Sequence, residues 1–176
     1  TMRRLLILRH AKTEPGELGK DDRNRALVDR GKHEAGQIGA YMTTHALTPD
    51  GVVLSPARRV QETWKHLAEA LKPAPGATTN DRVYEATPHD IFRIVAETAA
   101  PVRKLMLVGH NPSLHEAALM LIASGDTDAR ERLREKLPPA GLVIIDFAFD
   151  DWSKLHPQSG RLERFVTPKS IETATN

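Results

Sequence analysis

Apolar residues in this chain occur either in short continuous runs or at longer periodic spacings. Three runs have the length and aliphatic content of buried strands. They are "RRLLILR" (3–9), "GVVLS" (51–55) and "RKLMLVG" (103–109), and "TTNDRVY" (78–84) is a weaker strand candidate. These segments predict a sheet assembled largely from buried strands.

Between the runs, apolar side chains recur with the 3.6-residue period of amphipathic helices. The predicted helices span 29–46, 57–72, 88–99 and 112–123. In the last of these, for example, Leu114, Ala117 and Leu121 lie on one face. The first is less regular, because Gly36 and Gly39 weaken its helix propensity.

Strands and helices alternate along the chain, which predicts an α/β fold with three layers (α/β/α) on a mostly parallel sheet. The tail differs, since "AGLVIIDFAF" (140–149) and "GRLERFVTP" (160–168) predict a hairpin at one edge of the sheet. The long polar loop 11–28 is typical of a binding or active-site segment. No repeat or linker is visible, so we expect a single domain over 1–176.

Composition narrows the classes of function. The 25 Lys and Arg against 23 Asp and Glu are scattered, and aromatic residues make up only 5%, which argues against nucleic-acid binding. The absence of cysteine excludes disulfides and thiolate chemistry.

The apolar stretch at the start of the sequence is shorter than the roughly 7–15 apolar residues of a signal peptide. No stretch reaches the roughly 20 apolar residues of a membrane span, so we expect a cytoplasmic protein without a membrane partner.

Charged side chains follow three of the predicted strands. They are Arg9 and His10 after the first strand, Arg58 and Arg59 in "SPARRVQET" (55–63) after the second, and His110 in "GHNPSLHE" (109–116) after the last. Because the carboxyl ends of parallel strands share one edge of a sheet, we expect these five side chains to meet at one rim.

The helices that follow are predicted to begin at the same junctions. Ser55 is a good N-cap with Pro56 as the first helical residue, and Asn111 is expected to cap a helix starting at Pro112. Two arginines in the first turn of a helix oppose its dipole at a cost of about 0.3–1 kcal/mol each. A bound phosphate would reverse that cost, and two nearby histidines point to phosphoryl chemistry, with one as the nucleophile.

At these residues the sequence resembles the histidine phosphatase superfamily. The segments "ILRHAKTE", "DRNRALVDRG", "SPARRVQET" and "LVGHNP" follow the family's order and cover most of the chain. The short length and the forms of these motifs are most similar to the small SixA-type phosphohistidine phosphatases. The resemblance therefore implies a phosphoglycerate mutase-like fold without the long insertion of the mutase branch.

The resemblance also implies roles for individual residues. His10 would be the nucleophile that becomes phosphorylated, while Arg9, Arg59 and His110 would bind the transferred phosphoryl group. The motif S-P-x-x-R-x-x-x-T selects Arg59, and Arg58 is then interpreted as a solvated charge at the rim.

One position departs from the family pattern, and the identity of the proton donor is not assigned by it. Val28 stands where a capping Thr is usual, so Asp29 is expected to cap the first long helix. The proton donor has two candidates, Glu85 in "VYEATP" and Asp22 in the polar loop.

The resemblance implies a phosphatase that needs no metal or other cofactor. Its expected substrate is phosphohistidine on a protein, such as a histidine phosphotransfer domain in a signalling relay. A small-molecule phosphomonoesterase or mutase on the same residues is one alternative, and a non-catalytic phospho-binding module is another. Short loops disfavour the mutase, and binding alone would require the arginines but not both His10 and His110.

A metalloenzyme is disfavoured by the spacing of the histidines. His110 and His115 are five residues apart and lack the H-E-x-x-H pattern. The other histidines show no ligand grouping; they are His33, His45, His66, His89 and His156.

Overall fold

The computed structural model describes residues 2–175, and side chains through residue 173. Its seven strands form one sheet in the order β3-β2-β4-β1-β6-β7-β5. They are β1 (Arg3–Arg9), β2 (Gly51–Leu54), β3 (Ala77–Thr79), β4 (Lys104–Gly109), β5 (Ile122–Gly125), β6 (Leu142–Phe147) and β7 (Gly160–Val166). Only β6 runs against the other described strands, so the prediction of a mostly parallel sheet is confirmed.

Helices cover both faces of this sheet. They are α1 (Asp29–Thr44), α2 (Arg58–Ala68), α3 (Pro88–Ala96), α4 (Ser113–Leu121), α5 (Thr127–Glu135) and α6 (Pro168–Thr175). Side chains alternate along β1: Leu5 and Ile7 pack with α3, α4 and α5, whereas Leu6 and Leu8 pack with α1 and α2. The two resulting cores, one on each face, confirm the three-layer architecture.

The C-terminal hairpin is confirmed, but it does not form the outer edge of the sheet. Strand β6 pairs with β1, and β5 pairs in parallel with β7 beyond the hairpin. The sequence did not predict β5, because "IASG" follows α4 without a break and is too short to carry a period. Helices α5 and α6 were also not predicted.

Two expectations near loops need correction. The weak strand 78–84 is limited to the three residues of β3, followed by a 3₁₀ turn over Asp81–Val83. Helix α1 is preceded by Val28 in the cap position, without a side-chain cap, and Asp29 is its first residue. Gly31 allows the first turn of this helix to pack closely against the backbone of Lys12, because a Cβ at this position would collide with the Lys12 carbonyl oxygen.

The register of the sheet brings the strand ends together. Arg9 is paired with Gly109 across β1 and β4, and Leu54 with Val108 across β2 and β4. Gly109 cannot carry a side chain easily, since a Cβ would lie 2.8 Å from Cγ1 of Val83. His10 and His110 therefore start from the same level, and Ser55 lies one residue before that level.

Among residues 2–175, no helix is both long and apolar enough to cross a membrane.

Candidate active site

His10 is the first residue after β1 and is buried, with 7% of its surface exposed. Its backbone N–H donates to the Gly109 carbonyl at 3.0 Å, which holds it beside the end of β4. Ring atom Nδ1 lies 2.8 Å from the Ala11 carbonyl oxygen. Because a carbonyl only accepts, Nδ1 carries the proton and Nε2 keeps its lone pair.

The surroundings of His10 favour the neutral ring. Burial lowers its pKa to about 3, and the charges of Arg59 and Arg9 act in the same direction, while the Ala11 carbonyl opposes them. At neutral pH, Nε2 of His10 is therefore an unprotonated nitrogen facing a positively charged site.

His110 lies opposite His10, with their ring centroids 5.4 Å apart. Its Nε2 is 2.7 Å from the Ser55 hydroxyl oxygen, which also accepts from the Ala57 N–H at 3.2 Å. If the hydroxyl donates its proton to His110 Nε2, the imidazole proton lies on Nδ1. Burial, followed by the charge of Arg59, lowers the pKa of His110 to about 4.

The Ser55 contact corrects the predicted start of the second helix. Ser55 was expected to be the N-cap, but α2 begins at Arg58, after Ala57 in the cap position. The Ser55 hydroxyl is fully buried and holds the His110 ring.

Arg9 and Asn111 are tied to one carbonyl group at the rim. The Arg9 Nη1 atom donates to the Leu137 carbonyl at 3.1 Å, and Asn111 Nδ2 donates to the same oxygen at 2.9 Å. Asn111 therefore does not cap α4, which begins at Ser113 without a side-chain cap. Burial, followed by the charge of Arg25, lowers the pKa of Arg9.

Arg59 enters the site from α2 and is 5% exposed. Its Nη1 donates to the Asp22 backbone carbonyl at 2.8 Å and its Nη2 to Asp22 Oδ2 at 3.0 Å. One turn along, Thr63 Oγ1 donates to the Arg59 carbonyl and accepts from the Ala11 N–H. Thr63 thus links α2 to the segment that holds His10.

Arg58 does not join this group. Its side chain is 49% exposed and lies 3.7 Å from Glu62, its ion-pair partner on the same helix. Of the five strand-end side chains expected to meet, the structure brings together Arg9, His10, Arg59 and His110, linked through the contacts above.

The two candidate acids differ in position. Asp22 lies at the rim, where the Tyr84 hydroxyl donates to Oδ2 at 2.6 Å. This hydrogen bond, followed by Arg59, lowers the pKa of Asp22, so the carboxylate is ionised at neutral pH. Glu85 is exposed, with a left-handed φ of 56°. Among the described residues it makes no hydrogen bond or ion pair to a side chain of the site.

Tyr84 is a site residue that the sequence analysis did not single out. Its ring meets His110 edge-on at 5.5 Å, and Arg23 lies over its face at 4.5 Å. The hydrogen bond to Asp22 raises the pKa of Tyr84 and keeps the phenol protonated. The available signal was its position, an aromatic residue in "VYEATP" immediately before the acid candidate Glu85.

Several buried side-chain nitrogen atoms of the site have no hydrogen-bond partner among the described residues. They include Arg9 Nε, Arg59 Nε and His110 Nδ1. Guanidinium groups and N–H donors around a neutral imidazole suit a tetrahedral oxyanion with an electrophilic centre. In the same described part of the chain, no group of three or more His, Asp or Glu side chains is arranged to hold a metal ion.

Fold and site together define an α/β protein in which two buried histidines and two arginines meet at one edge of the sheet. The sequence profile of the histidine phosphatase superfamily (branch 1) matches residues 5–87. An uncharacterized protein of Mycobacterium tuberculosis (strain H37Rv) is 32% identical over 164 residues, which is 92% of this chain and 100% of the relative. One from Mycobacterium leprae is 30% identical over 168 residues, with the same coverage. The chain belongs to the histidine phosphatase superfamily.

Solved structures place the chain near SixA-type proteins. A candidate phosphohistidine phosphatase SixA from Agrobacterium tumefaciens has 26% identity and a TM-score of 0.79, covering 94% of this chain and 98% of the other. Protein histidine phosphatase SixA complexed with tungstate shares the fold at 16% identity and a TM-score of 0.74, covering 96% and 99%. Family membership supports phosphatase activity for this chain.

Proposed function

We propose that this protein is a phosphatase in which His10 attacks phosphorus, forms a phosphohistidine intermediate and thereby dephosphorylates phosphohistidine on a protein. The observation that carries the proposal is the state of the His10 ring. It is buried, its Nδ1 is bonded to the Ala11 carbonyl and its pKa is lowered to about 3. A neutral, oriented imidazole beside two arginines is what nucleophilic attack on a phosphate requires.

Substrate binding uses the cationic groups around His10. Arg9 and Arg59 would bind the non-bridging oxygens of the phosphoryl group through their guanidinium N–H groups, with the Nδ1–H of His110 as a further donor. A SixA protein of the same fold has been solved as a complex with tungstate, a tetrahedral oxyanion, which supports an oxyanion as the ligand of this chain.

In the first chemical step, His10 Nε2 forms a bond to phosphorus in line with the leaving group. The bond from phosphorus to the leaving nitrogen breaks, and its electron pair departs with the leaving imidazole. The Nδ1–H bond to Ala11 stabilises the positive charge that develops on the His10 ring. Arg9, Arg59 and His110 stabilise the transferring phosphoryl group, so the scheme requires no metal ion.

The second step returns His10 to its starting state. Water attacks the phosphorus, the bond to Nε2 breaks, and the electron pair returns to the neutral ring. Inorganic phosphate then leaves the arginines.

The acids at the rim favour phosphohistidine as the substrate. Asp22 has a lowered pKa and bonds to Arg59 and Tyr84, so it positions these groups rather than donating a proton. An alkoxide leaving group requires a strong proton donor, whereas an imidazole accepts a proton readily from water or buffer. Glu85 is exposed and has a left-handed backbone conformation. In this proposal it does not act as the proton donor.

The test compares phosphate release from a histidine peptide phosphorylated with phosphoramidate and from p-nitrophenyl phosphate, each with EDTA. We expect selective release from the peptide that survives EDTA and falls at least about 10³-fold in His10→Gln. His33→Gln, which changes an exposed histidine, is the matched control and should retain full activity.

Three results would change the conclusion. Full activity of His10→Gln would refute the nucleophile. Release only from p-nitrophenyl phosphate would keep the chemistry and point to a small-molecule phosphomonoesterase. Phosphate binding without release from either compound would indicate a non-catalytic phospho-binding module.

A further inference from the structure

A second cavity opens at the same edge of the sheet as the active site. This cleft of about 650 Å³ is lined by Lys12, by residues of the turn before β6 and by residues that follow β7. Strands β1 and β7 both run opposite to β6, so their carboxyl ends lie at one edge. The active site lies over β1, β2 and β4, and the cleft extends this edge over β6 and β7.

The turn over residues 137–140 contacts both the active site and the cleft. The Leu137 carbonyl accepts from Arg9 in the active site, and the Ala140 N–H donates to the carbonyls of Arg9 and His10. Between these residues, Pro138 and Pro139 line the cleft. The wall of the cleft therefore belongs to the turn that is hydrogen-bonded to the backbone of Arg9 and His10.

Lys12 is a second connection between the cleft and the active site. It lines the cleft and follows His10 by two residues, so their Cα atoms are at most about 7.6 Å apart. A polypeptide with its phosphohistidine at His10 has this cleft within reach of its next few residues.

The cleft carries an excess of positive charge, and we call it the basic cleft. Five cations and two carboxylates line it: Lys12, Arg30, Arg132, Lys136 and Lys169 against Glu34 and Glu135. Arg30 is paired with Glu34 at 3.3 Å. Lys12, Arg132 and Lys136 are exposed and make no ion pair within the described part of the chain.

The other flank of the active site has nearly equal numbers of positive and negative side chains. The cavity beneath the polar loop is lined by four carboxylates and three cations: Glu14, Glu17, Asp21 and Asp22 against Lys20, Arg25 and Arg58. The excess of positive charge is therefore a property of the basic cleft and not of both flanks.

We propose that the basic cleft binds an acidic segment next to the phosphohistidine of the protein substrate. This inference rests on the proposed function and adds a sequence preference to it. Aspartate and glutamate side chains of the segment pair with Lys12, Lys136 and Arg132. Apolar parts of the segment contact Pro138, Pro139, Phe165 and Pro168 on the cleft wall.

The test uses two phosphohistidine peptides of equal length, prepared with phosphoramidate. One has aspartate and glutamate beside the histidine, and the other has serine and asparagine at the same positions. We expect kcat/KM for the acidic peptide to be higher by about tenfold at low salt, and this preference to decline with added NaCl.

The variant Lys12→Glu/Lys136→Glu should abolish or reverse this preference. Its turnover of p-nitrophenyl phosphate should stay within about twofold of the unmodified protein, because neither lysine contacts the proposed phosphate site. The matched control is Lys65→Glu/Lys72→Glu, which makes the same change in net charge at exposed positions outside the cleft. The control should keep the preference for the acidic peptide.

The outcomes separate this inference from the proposed function. Equal turnover of the two peptides by the unmodified protein would overturn the docking proposal alone. A preference that survives in Lys12→Glu/Lys136→Glu would also overturn it. Turnover of p-nitrophenyl phosphate but of neither peptide would refute a phosphohistidine substrate and the docking proposal with it, while a phosphatase would remain.

Discussion

At the scale of single residues, the chemistry of the site depends on which atoms of each ring are already bonded. Nδ1 of His10 is bonded to a backbone carbonyl, and Nε2 of His110 lies against the Ser55 hydroxyl. The two rings therefore present different nitrogens to the space between them. His10 presents the lone pair of Nε2 and His110 presents Nδ1, so in the proposed mechanism the two histidines take different roles, nucleophile and stabiliser of the phosphoryl charge.

Tyr84 leads to the first prediction at this scale. In Tyr84→Phe, Asp22 loses a hydrogen bond of 2.6 Å and can pair more strongly with Arg59. The substrate phosphate must then compete with this carboxylate for the guanidinium group. We expect KM to rise about three- to tenfold with little change in kcat, in line with the loss of one hydrogen bond to a charged group.

Steady-state kinetics on p-nitrophenyl phosphate separate these two constants. Tyr41→Phe is the control, because its hydroxyl accepts from Arg164 at 2.7 Å, away from the site. A fall in kcat with an unchanged KM in Tyr84→Phe would instead place Tyr84 in the chemical step.

Not all of the site could be predicted from single residues. Arg9, His10 and His110 were found because they follow apolar strands, a signal visible in the sequence. The Ser55 contact with His110 spans 55 residues and has no local signature, so Ser55 was assigned to a helix cap. The role of Tyr84 depends on Asp22, 62 residues away, and its place beside Glu85 was a weak local signal.

At the scale of elements, α2 distinguishes two adjacent arginines. A rotation of about 100° per residue separates their directions, so Arg59 faces the sheet edge while Arg58 faces solvent. We expect Arg59→Ala to lower kcat/KM by about 10²-fold or more, since it removes a donor to the transferring phosphoryl group. Arg58→Ala should stay within about threefold, because an exposed pair contributes little.

Kinetics of the two variants on one substrate, with thermal unfolding as a control for folding, provide the measurement. Arg59→Lys should recover little activity, because an ammonium group cannot reproduce the guanidinium fork. Equal losses in Arg58→Ala and Arg59→Ala would contradict the assignment of the phosphate contact to Arg59.

Prediction of the elements succeeded where a continuous apolar run or a clear helical period was present, and it failed for β5, α5 and α6. The apolar runs 3–9 and 103–109 identified β1 and β4, which hold Arg9 and Gly109 in register. The four residues of β5 carry too little pattern, and half of them are exposed. The site was predictable because it depends on the central strands, whereas the edge was not.

At the scale of the whole molecule, the two buried histidines make stability depend on pH. The unfolded chain protonates them near pH 6.5, whereas the folded protein does so only at pKa values of about 3 for His10 and about 4 for His110. Below pH 6.5 the unfolded state therefore binds more protons, and the free energy of unfolding falls as the pH falls. The expected slope is about 1.4 kcal/mol per pH unit for each histidine.

Urea unfolding at pH 7, 6 and 5 tests this linkage. The double variant His10→Gln/His110→Gln should lose less stability between pH 6.5 and 5 than the unmodified protein. His33→Gln/His156→Gln, which changes two exposed histidines, should follow the unmodified protein. Parallel pH profiles for the unmodified protein and the His10→Gln/His110→Gln variant would show that the two rings are not held neutral in the fold.

Trapping the phosphorylated intermediate shows whether His10 accepts the phosphoryl group on Nε2. The protein is quenched in alkali during turnover of a phosphohistidine peptide, digested and mapped by mass spectrometry, and the isomer is assigned by ³¹P NMR. We expect an acid-labile phosphate on His10 at Nε2, since Nδ1 is bonded to the Ala11 carbonyl. Phosphate on Nδ1, on another residue, or on none during confirmed turnover would contradict it.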